Sequence, residues 1–415
     1  MSKLEQQYDW IIVGGGIAGI SIAEILCREG KSVLLLEKNK QLASETSKVF
    51  HEWMHSGTLY TLAPDKLLTL RYLLGATDDL IEYYSSYTNM NLVPTEKGVC
   101  VKDNGWFNNH NIEYHYRLHK FNPPWMMMVS KSIELINMVS QHDWLRRKAG
   151  AEYGQSIVKM KHLFRNMPKQ LKSDEKFLPV VSPDITMNSR RLISDLLEYS
   201  LHRGLTVKED SEVIDINDSD GHVVVSTCDN KYTANNVVLC SPELISKIQG
   251  LKVRTSYAPI AIVDGLTEEQ SSFVELDYNV RKCINLLSKG NGVGQAGGIS
   301  LSNESDVDSY IKYVIAEHKK RTPNMKVVDT YVGLKKELIQ KKEQRNYLYH
   351  INKTSSNVWS VILGKFSLAF SMAPEFYRRV YHENPSKTIG SINFTEKNEL
   401  ISETSWQEII RINNR

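Results

Sequence analysis

The sequence has few cysteines, no uninterrupted apolar run of membrane-spanning length and almost no excess charge. Its five cysteines are odd in number and widely spaced, so neither a disulfide framework nor a metal site is predicted. They are Cys27, Cys100, Cys228, Cys240 and Cys283. The apolar stretch from Trp10 to Cys27 contains a glycine cluster and Glu24, which excludes a transmembrane helix. The polar N-terminus leaves no room for a signal peptide before the first predicted strand, so we expect a cytoplasmic protein.

The charge balance and length limit the class of protein. The chain of 415 residues carries a net charge of +3, which does not indicate nucleic acid or an acidic membrane as a partner. Hydrophobic residues make up 41% and charged residues 24%, a composition typical of globular proteins. Because this length exceeds the size of one hydrophobic core, we expect two domains.

The first forty residues predict one parallel strand, helix, strand unit. Asp9 to Val13 is expected to form a short buried strand, Ile20 to Glu29 a helix with apolar positions at helical spacing, and Ser32 to Leu36 a second apolar strand. Gly30 is typical of the residue that ends a helix. Such a unit belongs to an α/β sheet.

The turn between the first strand and the helix carries a GxGxxG pattern at Gly14, Gly16 and Gly19. The first glycine permits the turn, the second lets a pyrophosphate approach the backbone, and the third lets helix and strand pack closely. Glu37 follows the second strand, where a carboxylate accepts hydrogen bonds from ribose hydroxyls. The helix N-terminus offers N–H groups to phosphate, so this order predicts a dinucleotide site.

A second GxGxxG pattern occurs at Gly292, Gly294 and Gly297. The residues after it show no helical pattern, so no helix N-terminus is available there to bind phosphate. We therefore predict a loop or a hairpin at this second copy.

Later segments return to α/β patterns after an aromatic-rich region. The predicted elements are a helix from Arg190 to Leu201, a hairpin from Glu212 to Ser226, strands from Asn236 to Cys240 and from Val358 to Leu363, a helix from Ser371 to Tyr381 and a short helix near Trp406. Strand patterns dominate residues 257–349. The α/β segments are thus interrupted by other material, which indicates a discontinuous nucleotide domain.

The segment from Tyr8 to Gly19, with Glu37-Lys38, resembles the FAD-binding start of the D-amino-acid-oxidase-like superfamily. This superfamily includes glycerol-3-phosphate dehydrogenases, L-2-hydroxyglutarate oxidases and glycine oxidases. The segments Ser44 to Ser47 and His55 to Tyr60 are similar to the serine-rich stretch and the His-Gly segment of those enzymes. Gly364 to Ala369 resembles their late Gly-Lys-Leu-Thr element, which caps the pyrimidine edge of the flavin.

The resemblance implies an α/β fold in two parts. One is a discontinuous Rossmann-type FAD-binding domain, and the other is an inserted α+β substrate domain built on a mainly antiparallel sheet. We assign residues 1–85, 176–250 and 350–415 to the FAD-binding domain, and residues 86–175 and 251–349 to the substrate domain.

The implied cofactor is FAD. The expected cofactor-binding residues are Gly14, Gly16, Ile17, Ala18, Gly19, Glu37, Lys38, Ser44, Thr46, Ser47, His55, Ser56, Gly57, Val213, Gly364, Lys365, Phe366 and Ser367. A reduced flavin carries negative charge at N1 and the C2 carbonyl, which a helix N-terminus and Lys365 would stabilise.

The expected catalytic residues are His55, with His51 behind it, and Lys335. His55 is the first candidate for a residue near the reactive edge of the flavin, and a structural histidine bonded to the backbone is the alternative. Lys335 stands where the family has the arginine of a Gly-Leu-Arg-Pro segment, so a point charge replaces bidentate carboxylate binding. Ser241-Pro242 stand where the family usually has a glycine. Some relatives attach FAD covalently through a histidine in the region of His55.

The expected function is hydride transfer from a CH–OH or CH–NH group of a small polar, anionic substrate to flavin N5. One alternative is an FAD-dependent monooxygenase that uses NAD(P)H, although such enzymes normally carry a late Gly-Asp pair where this chain has Gly364-Lys365. Another is a nucleotide-binding subunit without redox chemistry, because fold does not fix function. The sequence leaves the substrate and the electron acceptor (oxygen, a quinone or a protein) open.

Overall fold

The structure is a computed structural model. It describes residues 7–413 apart from 62, 64, 89–91, 96–97, 102–104, 119–123, 126, 137–166, 181, 183, 220, 268–271, 278–281, 340–346, 391–393 and 395–397. The α-helices with both ends described are α1 (Ile17–Arg28), α2 (Leu68–Thr88), α3 (Ser189–His202), α4 (Pro242–Gln249), α5 (Val307–Arg321), α6 (Ala369–Tyr381) and α7 (Ser405–Asn413). Residues 124–125 and 127–136 are also helical.

The strands of the described residues fall into two large sheets and two small ones. They are β1 (Gln7–Val13), β2 (Val33–Leu36), β3 (Trp53–Met54), β4 (Leu92–Thr95), β5 (Gly98–Val101), β6 (Phe107–Asn111), β7 (Glu113–Leu118), β8 (Lys169–Lys172), β9 (Glu175–Val180), β10 (Ile185–Met187), β11 (Thr206–Lys208), β12 (Val213–Ser219), β13 (His222–Thr227), β14 (Lys231–Leu239), β15 (Val253–Asp264), β16 (Phe273–Asp277), β17 (Lys282–Gly290), β18 (Val293–Gly298), β19 (Lys326–Leu338), β20 (Tyr349–Lys353) and β21 (Val358–Leu363).

The nucleotide sheet is built on parallel strands in the order β11-β2-β1-β14-β21. The predicted hairpin forms β12 and β13, and β13 pairs antiparallel with the first half of β14. This arrangement confirms the predicted Rossmann-type α/β sheet. Helix α1 begins at Ile17, three residues before the predicted start at Ile20, because Gly16 has the extended backbone of an N-cap residue.

Both faces of the nucleotide sheet are buried, as expected for parallel strands covered on both sides. Successive side chains of β1 point to opposite faces, so Trp10 and Ile12 pack in one apolar cluster and Ile11 and Val13 in another. Trp10 makes an edge-to-face contact with Phe376 of α6, with ring centroids 5.3 Å apart. These contacts hold β1, and with it the glycine turn, in a fixed position.

The second large sheet has the order β19-β15-β18-β17-β16-β7-β9-β8. Its pairs are antiparallel except for β16 with β7, which confirms the predicted mainly antiparallel substrate sheet. The second GxGxxG pattern lies at the turn and along β18 of the β17–β18 hairpin, as predicted. Helix α5 packs on β15 and β18, and the strand patterns of residues 257–349 did not predict it.

The domain boundaries remain a proposal, which the sheets allow us to refine. Strand β9 (Glu175–Val180) pairs with β7 of the substrate sheet, so we move the start of the second FAD-binding segment from 176 to after 180. Helix α2 extends to Thr88 and packs on α6, so we extend the first segment from 85 to 88. Strand β20 begins at Tyr349 in the nucleotide sheet, close to the predicted boundary at 350.

Candidate active site

The glycine turn has the geometry of a dinucleotide cradle. Gly14 has a φ of +109°, a conformation that side chains rarely adopt. A Cβ atom at Gly19 would lie 2.0 Å from the Gly14 carbonyl oxygen, so the third glycine is required for close packing of helix and strand. A Cβ atom at Gly16 would meet only the Ser47 hydroxyl, at 3.2 Å. At the second glycine only the Ser47 hydroxyl would have to shift to admit a Cβ atom, and the glycine keeps space open in front of the helix.

Polar groups surround this turn. The Gly15 N–H donates to Glu37 Oε2 at 2.7 Å, and the Asn39 N–H donates to Glu37 Oε1 at 2.9 Å, which fixes the carboxylate at the end of β2. The Ser47 hydroxyl accepts from the Ile17 N–H at 3.0 Å, at the first turn of α1. The sequence order thus brings an acidic residue and a serine to the same helix N-terminus, as the dinucleotide motif requires.

One cavity of about 610 Å³ runs from this turn to the substrate sheet. The predicted cofactor residues that line it are Gly14, Gly16, Ile17, Ala18, Glu37, Lys38, Ser44, Thr46, Ser47, His55, Val213, Gly364, Lys365 and Phe366. The predicted catalytic residues His51, His55 and Lys335 line the same cavity. Its size lies within the range of ligand pockets, and its wall combines the glycine cradle with polar side chains, so the residues fit a bound FAD.

Four predicted cofactor residues lie outside the cavity wall. Gly19 packs against Gly14, and Gly57 has a φ of +105° and lies where a Cβ atom would be 2.6 Å from Leu70 Cδ1. The backbone N–H and hydroxyl of Ser56 donate to a buried carboxylate, and Ser367 is fully buried before α6. Gly19 and Gly57 thus serve packing and Ser56 an internal hydrogen bond, and a contact of these four residues with FAD stays a prediction.

A buried carboxylate binds the segment from Trp53 to Ser56, which contains His55. Asp184 is fully buried and accepts hydrogen bonds from Trp53 Nε1 at 2.8 Å, the Tyr114 hydroxyl at 2.7 Å and both donors of Ser56. His55 Nδ1 lies 3.8 Å from Asp184 Oδ2, and its ring stacks on Trp53 with centroids 4.1 Å apart. No sequence pattern pointed to Asp184, because its partners come from segments 70 to 131 residues away.

Two lysines reach the flavin end of the cavity. Lys365 Nζ lies 5.0 Å from the ring centroids of both Tyr60 and Tyr347, a cation–π arrangement that holds the ammonium in place. Lys335 Nζ donates to the Gly364 carbonyl and lies 3.4 Å from Glu337 Oε1. The Lys335 ammonium thus binds the residue that precedes Lys365, ahead of the 3₁₀ turn that leads into α6.

The predicted departure from the family at Ser241-Pro242 is accommodated locally. Ser241 is the N-cap of α4 and its hydroxyl accepts from the Leu244 N–H at 3.5 Å, while Pro242 occupies the first helical turn. Both residues line the cavity, and a Cβ atom at Gly14 would lie 3.3 Å from the Cys240 carbonyl carbon. The turn after β14 therefore approaches the glycine cradle closely without a glycine of its own.

Comparison with known proteins identifies the family. The model of the FAD-dependent oxidoreductase (DAO) family matches residues 9–282, which is more than half of the chain. The chain belongs to this family. The cofactor of this oxidoreductase is FAD, and the predicted resemblance and enzyme class are confirmed.

Solved structures share the fold at low sequence identity. Glycine oxidase from Bacillus cereus is 14% identical, with a TM-score of 0.63 over 91% of this chain and 99% of that chain. FAD-bound L-α-glycerophosphate oxidase from Mycoplasma pneumoniae is 14% identical, with a TM-score of 0.64 over 95% and 98%. L-proline dehydrogenase from P. horikoshii is 12% identical, with a TM-score of 0.62 over 92% and 95%. At these identities the likeness establishes the fold alone.

A short segment resembles a curated enzyme. Over 55 residues the oxidoreductase is 40% identical to UDP-galactopyranose mutase of Mycoplasma pneumoniae. This match covers 11% of the chain and spans only 14% of the mutase.

Among the described helices of the oxidoreductase, none combines the length and the hydropathy of a membrane-spanning segment.

Glu52, the residue after His51, links the C-terminal helix to the cavity wall by a hydrogen bond. This buried residue has a φ of +56°, a strained conformation for a side chain other than glycine. Its carboxylate accepts from Trp406 Nε1 of α7 at 2.8 Å, Lys289 Nζ of β17 at 2.7 Å and the Ser189 N–H of α3 at 2.9 Å. Four elements of the oxidoreductase therefore meet beside His51, an arrangement that sequence analysis missed because the partners are distant along the chain.

The buried histidines of the oxidoreductase are held neutral. Burial, with the nearby cations Lys289 and Lys365, lowers the pKa of His51 to about 3. Burial also lowers the pKa of His55 well below its ordinary value and that of His318 to about 4. Because these folded-state pKa values lie below the unfolded value of 6.5, the unfolded chain binds more protons as the pH falls. The free energy of unfolding is therefore expected to decrease below pH 6.5.

A His51→Phe variant is expected to lose part of this acid sensitivity. Removing one histidine with a strongly lowered pKa should flatten the pH dependence between pH 6 and pH 4 by about 1.4 kcal/mol per pH unit. Urea denaturation at several pH values would measure the slope in both proteins. His202→Phe, at an exposed position on α3, is the matched control. An unchanged slope in His51→Phe would contradict the neutral state assigned to His51.

Proposed function

We propose that this oxidoreductase removes hydride from a CH–OH or CH–NH group of a small anionic substrate. The observation that carries the proposal is one continuous cavity, which joins the glycine cradle to His55, Lys335 and Lys365 at the substrate sheet. When bound, FAD supplies the acceptor for the hydride. The residues that would hold it are Gly14, Gly16 and Glu37 at one end of the cavity and the segment from Gly364 to Phe366 at the other.

The charges at the flavin end support an anionic substrate. Lys365 lies between two tyrosine rings in the cavity wall, and Lys335 lies beside it. A lysine ammonium in a partly desolvated wall attracts carboxylate or phosphate more strongly than it does in water. The same positive charge would stabilise negative charge that develops at the cofactor during reduction.

His55 supports a role in moving the substrate's proton. Its imidazole is neutral because burial and Lys365 lower its pKa, and its Nδ1 lies nearest Asp184. A neutral imidazole that carries hydrogen on Nδ1 has a lone pair on Nε2, which can accept the proton of a hydroxyl or an ammonium group. The stack on Trp53 would fix the orientation of the ring, because Asp184 Oδ2 at 3.8 Å is beyond hydrogen-bond distance of Nδ1.

An absorption spectrum of the purified protein tests the proposal. We expect flavin bands that bleach under anaerobic conditions with one class of a panel of hydroxy acids, amino acids and polyol phosphates. Exposure of the reduced protein to oxygen, or to a quinone, would then identify the electron acceptor. Flavin that is reduced by dithionite but by no member of the panel would count against the proposed substrate class and favour a non-redox role.

A further inference from the structure

Lys335 and Gly364 join the two large sheets at the cavity wall. Lys335 belongs to β19 of the substrate sheet, and Gly364 follows directly after β21 of the nucleotide sheet. The Lys335 ammonium donates a hydrogen bond to the Gly364 carbonyl, and both residues line the cavity. Because only 12% of the Lys335 side chain is exposed, this charge-assisted bond is stronger than it would be in water.

A buried carboxylate on the same strand holds the Lys335 ammonium. Glu337 lies two residues further along β19, on the same face of the sheet, and is buried. Its Oε1 lies 3.4 Å from Lys335 Nζ, and its Oε2 accepts from the Ser256 hydroxyl of the neighbouring strand β15. Arg254 of β15 lies 3.9 Å from the same Oε2. The charge of Lys335 is therefore paired within the substrate sheet.

Gly364 is also held by its N–H group, which donates to the Leu348 carbonyl at 2.9 Å. A Cβ atom at position 364 would lie 2.4 Å from that carbonyl oxygen and 2.4 Å from the Tyr347 carbonyl carbon, so only glycine fits there. Both hydrogen-bonding groups of the Gly364 backbone are thus fixed. The N–H is bound by the segment before β20, and the carbonyl is bound by Lys335.

The residue after Gly364 is the lysine at the flavin end of the cavity. Lys365 Nζ lies 5.0 Å from the ring centroids of Tyr60 and Tyr347, and these two centroids are themselves 5.0 Å apart. The Gly364 carbonyl belongs to the peptide bond that leads into Lys365. Movement of this carbonyl would therefore shift Lys365 relative to the two rings. Through this bond Lys335 can act on Lys365 without touching the cofactor or the substrate.

We propose that Lys335 is a positioning residue, which acts through the Gly364 carbonyl and sets the position of the Lys365 ammonium at the flavin. This inference rests on the proposed function, which places the segment from Gly364 to Phe366 at the flavin end of the cavity. It differs from the role expected from the sequence, in which Lys335 binds the carboxylate of the substrate. A lysine already paired with Glu337 attracts a second carboxylate less strongly than an unpaired lysine does.

An FAD titration and a redox titration of the holoenzyme test the inference without a substrate. Lys335→Met combined with Glu337→Gln removes the bond to Gly364 and leaves the net charge unchanged. We expect FAD affinity to fall by about ten-fold, since a charge-assisted hydrogen bond that fixes the turn is lost. The two-electron midpoint potential should also fall, as it would if the charge of Lys365 were lost.

The same pair of changes in a Lys365→Met background provides the decisive comparison. If Lys335 acts by positioning Lys365, the pair of changes should no longer shift the potential once Lys365 is absent. Lys335→Gln with Glu337→Gln makes the same test with two polar side chains, in case the methionine variant does not fold. Lys320→Met with Glu317→Gln is the matched control, because it removes an ion pair of α5 outside the cavity wall.

The possible results separate this inference from the proposed function. An unchanged potential after loss of the Lys335–Glu337 pair would overturn the inference. A fall in potential of the same size with and without Lys365 would also overturn it, because Lys335 would then act on the flavin by itself. Failure of the proposed function would appear independently, as a wild-type flavin that no compound of the panel reduces.

Discussion

A Gly16→Val variant is expected to lose FAD while its apoprotein remains folded. Gly16 has a φ of −77° and a ψ of −179°, an extended conformation that any residue can adopt. A Cβ atom there would meet only the Ser47 hydroxyl, at 3.2 Å, and that hydroxyl would have to shift by a few tenths of an ångström. A valine side chain would instead occupy the space through which a pyrophosphate approaches the helix N-terminus. We expect FAD affinity to fall by roughly 100-fold or more, which corresponds to about 3 kcal/mol.

Flavin content after purification and an FAD titration of the apoprotein would measure this effect. Urea denaturation should show that the free energy of unfolding of the apoprotein changes by no more than about 1 kcal/mol. Gly105→Val is the matched control, because the nearest atom to a Cβ there is Arg191 Cγ at 3.8 Å, away from the cavity. Full retention of FAD by Gly16→Val would remove the glycine turn from the cofactor site.

The contrast with Gly19 makes the prediction sharper. A Cβ atom at Gly19 would overlap the Gly14 carbonyl oxygen at 2.0 Å. That oxygen belongs to the backbone of the turn and cannot move aside as a side chain could. We therefore expect Gly19→Val to destabilise the apoprotein as well as to lose FAD. The two glycines of one motif thus serve different physical purposes, one for the ligand and one for the packing of α1 on β1.

A Lys365→Met variant is expected to make the flavin harder to reduce. Lys365 Nζ is held between the rings of Tyr60 and Tyr347, and the residue precedes the 3₁₀ turn that leads into α6. Loss of its positive charge removes stabilisation of the reduced, negatively charged cofactor. A charge-assisted hydrogen bond contributes about 1.5–3 kcal/mol, so the two-electron midpoint potential should fall by roughly 30–60 mV.

Spectroelectrochemical titration against reference dyes would measure the potential. Lys312→Met on α5 makes the same change of charge at an exposed position and is the matched control. An unchanged potential in Lys365→Met, with FAD still bound, would exclude Lys365 from the surroundings of the flavin ring.

Much of the cofactor site could be predicted because its parts are adjacent along the chain. Gly14, Gly16 and Glu37 lie within one strand, helix, strand unit, and the geometry of that unit brings them together wherever it occurs. The start of α1 was predicted three residues late because apolar spacing locates the body of a helix better than its first turn. The late segment around Lys365 was found through a resemblance, since a single lysine before a helix carries no signal by itself.

The other half of the site could not be predicted because its contacts join distant segments. Asp184 gathers Trp53 and Tyr114 around a buried carboxylate, and neither pairing has a regular spacing in the sequence. Glu52 joins Lys289 and Trp406 in the same way, from positions more than 200 residues away.

The sequence by itself determined the parallel unit and the dinucleotide motif, because those depend on local spacing and on the periods of strands and helices. Its resemblance to the superfamily indicated the family and the FAD cofactor. Only the tertiary structure decided which polar atoms line the cavity and which are satisfied within the protein. It placed His51 against Gly297 and Asn285, residues that pattern analysis assigned to a loop or left aside. The physical reason is that hydrogen bonding and burial are set by packing between segments, and packing is not encoded in any single stretch of the chain.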